Sequence, residues 1–360
     1  MNKHLIASLC TLLSFSALQA QDNVTLVTLR HPQSGLTLSA TNYGARVVSL
    51  CPFGTDVALG FDRLSSYYEN KQNLGAVVGR FIGRILYGHL EIDGTTYPLQ
   101  LQKSGDCGHG GDPNFGRHVW QIVPQSVSDT TLTLRYISPD GENGFPGTLT
   151  AEVTYTVLAD ALRIDYTATT DRPTVYNPTN HTFFNLTGDL GRDILAEEVW
   201  IDSDSLALYD KNKRVTGKMG AVAGTPFDFR TPRAIGAHID DNDNQLQVTK
   251  GYDHCFQLKR YLTAATPEER LAQPVARLTD RQSGLFMEVC TTEPALQLYS
   301  ANGLKGNLIG KDGKRMIRRG AVCFETMHFP DSPNQPQWPS TLLRPNETFR
   351  STTIYRFGQL

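Results

Sequence analysis

Cysteine is scarce in this chain of 360 residues, with six in all. Cys10 falls in the N-terminal leader discussed below, which leaves Cys51, Cys107, Cys255, Cys290 and Cys323. An odd number at wide spacing excludes a disulfide framework. Net charge is also nearly absent: 34 Lys and Arg stand against 36 Asp and Glu, a formal balance of −2. That gives no electrostatic basis for holding a nucleic acid. Beyond Gln21 no apolar run is long enough to cross a membrane as a helix. The chain lacks a phosphate loop, a dinucleotide fingerprint, a Gly-x-Ser-x-Gly elbow, a His-Glu-x-x-His pair and paired Cys-x-x-Cys motifs. These common chemistries are therefore set aside. Asp240-Asp241-Asn242-Asp243-Asn244 lacks the turn glycine and terminal Glu of a calcium loop, and reads as a polar surface loop.

The one long apolar stretch is at the start. Lys3 is followed by an apolar run from Leu5 to Leu18, with the small Ala20 before Gln21-Asp22. Residues 1–20 read as a secretory signal peptide, with Leu18 an unusual residue for the minus-three position. The chain is therefore expected to be secreted or periplasmic, free of the membrane once the leader is removed. The remaining residues, 21–360, carry no Pro/Gly/Ser-rich linker and no internal repeat, and read as a single catalytic domain.

What is present is two-residue alternation. Leu132, Leu134 and Tyr136 alternate with Thr131, Thr133 and Arg135. Val153, Tyr155 and Val157 repeat the pattern, followed by Leu162, Ile164 and Tyr166. These are half-buried strands. Asp93-Gly94, Ala159-Asp160, Pro139-Asp140-Gly141 and Phe145-Pro146-Gly147 supply the turns. Helix signals are few. Thr266-Pro267-Glu268-Glu269 has a cap residue, Pro at the first helical position and Glu at the third. Ser65 to Asn70 forms a turn or two. The expected fold is all-β, a large antiparallel β-sandwich with few short helices.

Against this apolar background a few polar residues stand out. Glu325 lies in Ala321-Val322-Cys323-Phe324-Glu325, where a carboxylate resists burial unless something uses it. His181, in Asn180-His181-Thr182-Phe183-Phe184, has aromatic neighbours that suit a dry site; a satisfied core histidine is the plain alternative. His109 sits between Gly108 and Gly110-Gly111, where the backbone can turn sharply and approach a ligand, or simply form a loop. Asp253 follows Gly251-Tyr252 and reads as a turn residue or a hydroxyl acceptor. Gln297 alternates with apolar neighbours and on that pattern alone could face solvent. Arg84 could hold a ligand or pair with a surface acid. Cys290 and Cys323 lie in apolar runs as buried thiols. Cys107 and Cys255 adjoin candidate site residues, which leaves a thiol role or a mutual disulfide open. Two histidines with carboxylates are suited to moving protons near neutral pH.

Taken in order, these segments resemble the aldose 1-epimerase (galactose mutarotase) family across nearly all of the mature chain. The matching pieces run from Asn42-Tyr43-Gly44-Ala45 through Gly108-His109-Gly110-Gly111, Gly144-Phe145-Pro146-Gly147 and Asn180-His181-Thr182-Phe183-Phe184-Asn185-Leu186. Gly251-Tyr252-Asp253-His254, Thr292-Glu293-Pro294 with Gln297, and Phe324-Glu325-Thr326 complete them. The resemblance implies a β-supersandwich that interconverts the α and β anomers of a free aldohexose such as glucose or galactose. It implies Glu325 as the base at the anomeric hydroxyl and His181 as the acid at the ring oxygen. Arg84, His109, Asp253 and Gln297 would hold the sugar, and the resemblance implies neither a cofactor nor a metal. A small-molecule sugar is the expected partner, with the chain a monomer or weak dimer. Two departures stand out: Gly83 where the family has Asn before the Arg, and Met327 where Gln is common. The alternatives are an epimerase for a modified hexose and a non-catalytic carbohydrate-binding protein. A phosphorylated sugar would call for further Arg or Lys near the pocket, and the sequence places none beyond Arg84.

Overall fold

The computed structural model describes residues 23–360, so the leader expected at residues 1–20 lies outside the described residues. Two antiparallel sheets dominate. The larger has nine strands, running from Arg233–Ala234 at one edge through Glu198–Ile201, Ala276–Asp280, Leu285–Thr291, Phe349–Gln359, Ala161–Thr170, Leu149–Val157 and Thr131–Ser138 to Gln121–Ile122. The smaller has five, in the order Val215–Ala221, Ser205–Tyr209, Asp253–Gln257, Ala295–Tyr299 and Cys323–Met327. The fold is mostly β with a few short helices, as the alternation predicts.

The alternation explains how the sheets meet. Val153, Tyr155 and Val157 are buried, while Thr154 and Thr156 between them are only partly so. Leu162, Ile164 and Tyr166 bury the same face on the neighbouring strand. From the five-stranded sheet, Phe256, Leu296, Leu298 and Phe324 enter the same cluster. Each large apolar side chain removed from water contributes roughly 1.5–3 kcal/mol, so this shared layer sets the stacking of the two sheets. Polar clips then fix the alignment. Thr326 and Thr353 share a hydroxyl hydrogen bond at 2.6 Å, and the Tyr355 hydroxyl donates to the Phe324 carbonyl at 3.0 Å.

The local signals hold. Asp93 and Gly94 both have positive φ, 51° and 77°, and join the hairpin strands His89–Ile92 and Thr95–Pro98, the geometry a tight two-residue turn requires. Helix Pro267–Leu271 carries the full reciprocal cap between Thr266 and Glu269, and the Ser65 segment forms helix Ser65–Glu69. The Asp240 loop is polar as expected, but a helix follows it over Asn244–Thr249 that the sequence pattern does not announce. Its start signal is Asp243, whose side chain accepts from the Gln245 and Leu246 amides.

Candidate active site

The five-stranded sheet has two unlike faces. Phe256, Leu296, Leu298 and Phe324 point into the core. The intervening residues point the other way. Gln297 lies opposite Cys255 on one side and Glu325 on the other, while Tyr299 lies opposite Asp253 and Cys323. Period-two geometry therefore gathers Asp253, Gln297 and Glu325 on one face. Gln297 is not at the solvent side: it is 8% exposed and donates through Nε2 to Asp253 Oδ1 at 2.7 Å. Its own Oε1 is buried without a partner.

The remaining predicted residues arrive from outside this sheet. His181 follows the two-residue strand Thr179–Asn180. Its amide donates to the Ala76 carbonyl at 2.8 Å and its carbonyl accepts from Gly75 at 2.9 Å. The ring stacks on Phe183, with centroids 4.9 Å apart. His109 leaves strand Cys107–Gly108 with φ of 52°. Gly110 must be glycine, because a Cβ there would lie 2.0 Å from the Gly79 carbonyl oxygen. The turn brings the His109 ring within 6.1 Å of His181, centroid to centroid. Arg84, registered opposite Gly108, lines the pocket with its guanidinium 3.2 Å from Asp106. That acid is fully buried and also holds Arg214 at 2.9 Å.

All six residues named from the sequence thus converge on one region. Arg84, His109, Asp253, Gln297 and Glu325 line a pocket of about 620 Å³ counting its mouth. His181 borders the cleft that adjoins it. The central contact is His181 Nε2 to Glu325 Oε1, at 3.5 Å, with side chains only 8% and 5% exposed. Burial pushes Glu325 well above the usual carboxylate range, and the nearby Asp253 charge adds to that. Burial also pulls His181 down to about 3, helped by His109. Burial therefore favours the neutral form of each group. Neither charged form is well solvated here. The two groups sit side by side.

Cys323 Sγ lies 3.6 Å from His181 Nδ1, on the ring nitrogen that does not face Glu325. His181, Cys323 and Glu325 are close enough to suggest a metal site. Their contacts fall on different nitrogens of the ring, an arrangement for a hydrogen-bonded chain more than for a shared ion. All five described cysteines are free, so Cys107 and Cys255 are not bridged. Cys107 packs with Phe81 and Ile85, and Cys255 with Phe329 and Trp338. Burial pushes the Cys107 thiol up to about 12, which removes it as a nucleophile.

The sequence profile of the aldose 1-epimerase family matches residues 25–356. The chain belongs to the aldose 1-epimerase family. Galactose mutarotase of Rattus norvegicus is 38% identical over 304 residues, covering 84% of each chain. Aldose 1-epimerase of Escherichia coli K12 is 34% identical over 340 residues, covering 92% of this chain and 94% of the relative. Among solved structures, galactose 1-epimerase from Lactobacillus acidophilus superposes with a TM-score of 0.79 at 25% identity, over 94% of this chain and 99% of that one. An aldose epimerase homologue from C. elegans gives 0.84 at 24% identity, over 94% and 99%, and shares the fold. As an aldose 1-epimerase this protein is an isomerase, and the reaction is interconversion of sugar anomers.

Within that family site, several residues carry no sequence signal of their own. Tyr209 and Lys213 line the pocket, and Lys213 Nζ lies 3.4 Å from Asp253 Oδ2. In sequence Lys213 belongs to Asp210-Lys211-Asn212-Lys213-Arg214, which reads as a solvated charge run. Asp106 precedes Cys107 and has no apolar run around it to flag burial. Tyr299 and Cys323 are hidden because only the strand register reveals which face they take.

Proposed function

We propose that this enzyme opens and recloses a free aldohexose with Glu325 and His181 as its proton-transfer pair. The carrying observation is their contact at 3.5 Å in nearly complete burial. Ring opening must remove a proton from O1 and deliver one to O5. Both oxygens are bonded to C1, so two neighbouring side chains can address them together. Glu325, as carboxylate, takes the O1 proton, and the O1 electron pair forms C1=O1. The C1–O5 bond breaks, its electrons go to O5, and the His181 imidazolium protonates it. Rotation about C1–C2 presents the other face of the aldehyde, and the reverse transfers close the ring. Opening leaves a neutral Glu325 and a neutral His181, the same forms that burial favours in the empty pocket. The working form for the closed sugar arises when one proton passes from Glu325 to His181.

Arg84, His109, Asp253 and Gln297 supply the donors and acceptors that hydroxyl groups need. The buried, unpartnered Gln297 Oε1 and His109 Nδ1 are ready to bond a ligand. A neutral sugar also suits a chain of near-zero net charge. The reading includes export, supported by the apolar run from Leu5 to Leu18, and action as a monomer or weak dimer.

Polarimetry on freshly dissolved α-D-glucose and α-D-galactose tests the assignment, comparing the mature protein with Glu325→Gln and His181→Ala. Rapid equilibration that both variants lose is the expected result. No acceleration over buffer by the unmodified protein overturns it. Recovery of the chain in the cytosolic fraction with Met1 attached overturns the export reading.

A further inference from the structure

The pocket does not end at the hexose site. His109, Lys213, Thr249 and Asp253 line both it and a wider cleft of about 1310 Å³ counting its mouth. His181 borders this cleft, whereas Glu325 lines only the pocket. The cleft is rimmed by Lys71, Lys213, Lys250 and Lys305, and Asp253 is the one carboxylate residue among its lining. Lys71 reaches Asp112 at 3.5 Å, and Lys213 reaches Asp253 at 3.4 Å. Lys250 and Lys305 are exposed, and neither has a carboxylate partner among the described residues. In a chain whose formal net charge is −2, four lysines around one opening are a local excess and not a reflection of composition. Such an opening concentrates anions.

Stereochemistry says which part of a sugar meets it. If His181 protonates O5, then C5 is one bond away and its C6 substituent two. That end of the pyranose lies on the His181 side, which is the cleft side. The C1 hydroxyl lies on the Glu325 side, in the pocket. Gly83, with φ of 77°, lies on the opposite wall, where a Cβ would press on Met327 Cε at 3.3 Å and on Pro330 at 3.4 Å. The side chain that Gly83 forgoes would therefore stand on the pocket wall, whereas the positive charge is concentrated at the mouth.

We infer that the cleft is a subsite for an anionic group at C6, and that this enzyme takes acidic aldoses, carrying a carboxylate or phosphate there, in preference to neutral hexoses. The inference rests on the placement of His181 at O5 made above. Neutral hexoses remain substrates, since the proton-transfer pair and the hydroxyl contacts do not depend on C6.

The test compares α-D-galacturonate, α-D-galactose 6-phosphate and α-D-galactose by polarimetry at low and high salt. The wild type is set against the double variant Lys250→Asn, Lys305→Gln. Asn is chosen because Lys250 has φ of 63°, a conformation Asn tolerates. At low salt, kcat/KM for at least one anionic sugar is expected to exceed that for galactose by about fivefold, the sum of two solvent-exposed ion pairs. Salt should erase the advantage. The double variant should lose it while turning over galactose as before. Preference for the carboxylate or for the phosphate identifies the anion. Equal or slower turnover of both anionic sugars overturns the inference, as does an equal loss on all three sugars in the variant. If no sugar is turned over, the proton-transfer reading has failed by itself. Calorimetric titration with galacturonate then decides the subsite: salt-sensitive binding weakened by the double variant supports it, and no binding overturns it.

Discussion

Gln297 and Glu325 are direct cross-strand partners, and both turn away from the core that Leu296, Leu298 and Phe324 fill. The base of the proposed reaction is thereby held by a sheet whose other face is locked against a second sheet. Its position is set by strand register, the least adjustable feature of a two-faced sheet.

Glu325→Gln should separate catalysis from stability. Activity is expected to fall by about 10²–10⁴-fold, the usual contribution of a positioned general base. Stability at neutral pH should rise. Burial raises the Glu325 pKa in the folded protein, so the unfolded chain ionises first as pH climbs past the ordinary carboxylate value. The neutral amide removes that bias. Polarimetry with thermal melting at pH 7 checks both.

The pair works only when it holds one proton. Its second proton is gained below the depressed pKa of His181, about 3, and its last is lost above the raised pKa of Glu325. The rate at saturating sugar is therefore expected to show no inflection near 6.5, the value of a free imidazole. A pH–rate profile with a break there would show that His181 titrates like an exposed histidine.

Acid should unfold this protein early. His181 and His254 are both buried and both pulled down to about 3, chiefly by burial. As pH falls from the ordinary histidine value towards 3, the unfolded chain takes up protons that the folded one refuses. Stability is lost through that window by about 1.4 kcal/mol per pH unit for each histidine. Urea melts across the range should show the slope, and His254→Phe should remove part of it.

Asp106 holds Arg84 and Arg214 from complete burial. Asp106→Asn should loosen Arg84 and raise KM about tenfold with kcat little changed, the mark of binding lost equally from ground and transition states. It should also cost about 3 kcal/mol of stability, because two cations lose their shared counter-charge. Steady-state kinetics with denaturant titration separates the two effects.

Most of the fold is legible in the sequence because its signals are local, whereas the six candidate site residues stand out singly and are joined into one site only by the family resemblance. Alternation marks the strands of Val153 and Ile164, and an acid directly after the apolar run Val322-Cys323-Phe324 marks Glu325. Distances and protonation are not legible. Nothing in the sequence says that His181 touches Glu325, since the chain separation of 144 residues is closed only where Thr179–Asn180 meets strand Cys323–Met327, the Thr179 hydroxyl donating to the Thr326 carbonyl at 2.9 Å. The burial that shifts both groups is a property of the assembled layers. Lys213 is obscured for a related reason: charge runs look alike whether they face bulk water or a pocket.

The site divides its parts between two kinds of scaffold. The base, Arg84, Asp253 and Gln297 stand on strands, while the lysines around the opening, Lys213, Lys250 and Lys305, stand on turns and connections. Mutation can therefore edit which sugar is admitted without disturbing the proton machinery. New substrate preferences should be sought first in these turns and connections, while strand register keeps Glu325 in place.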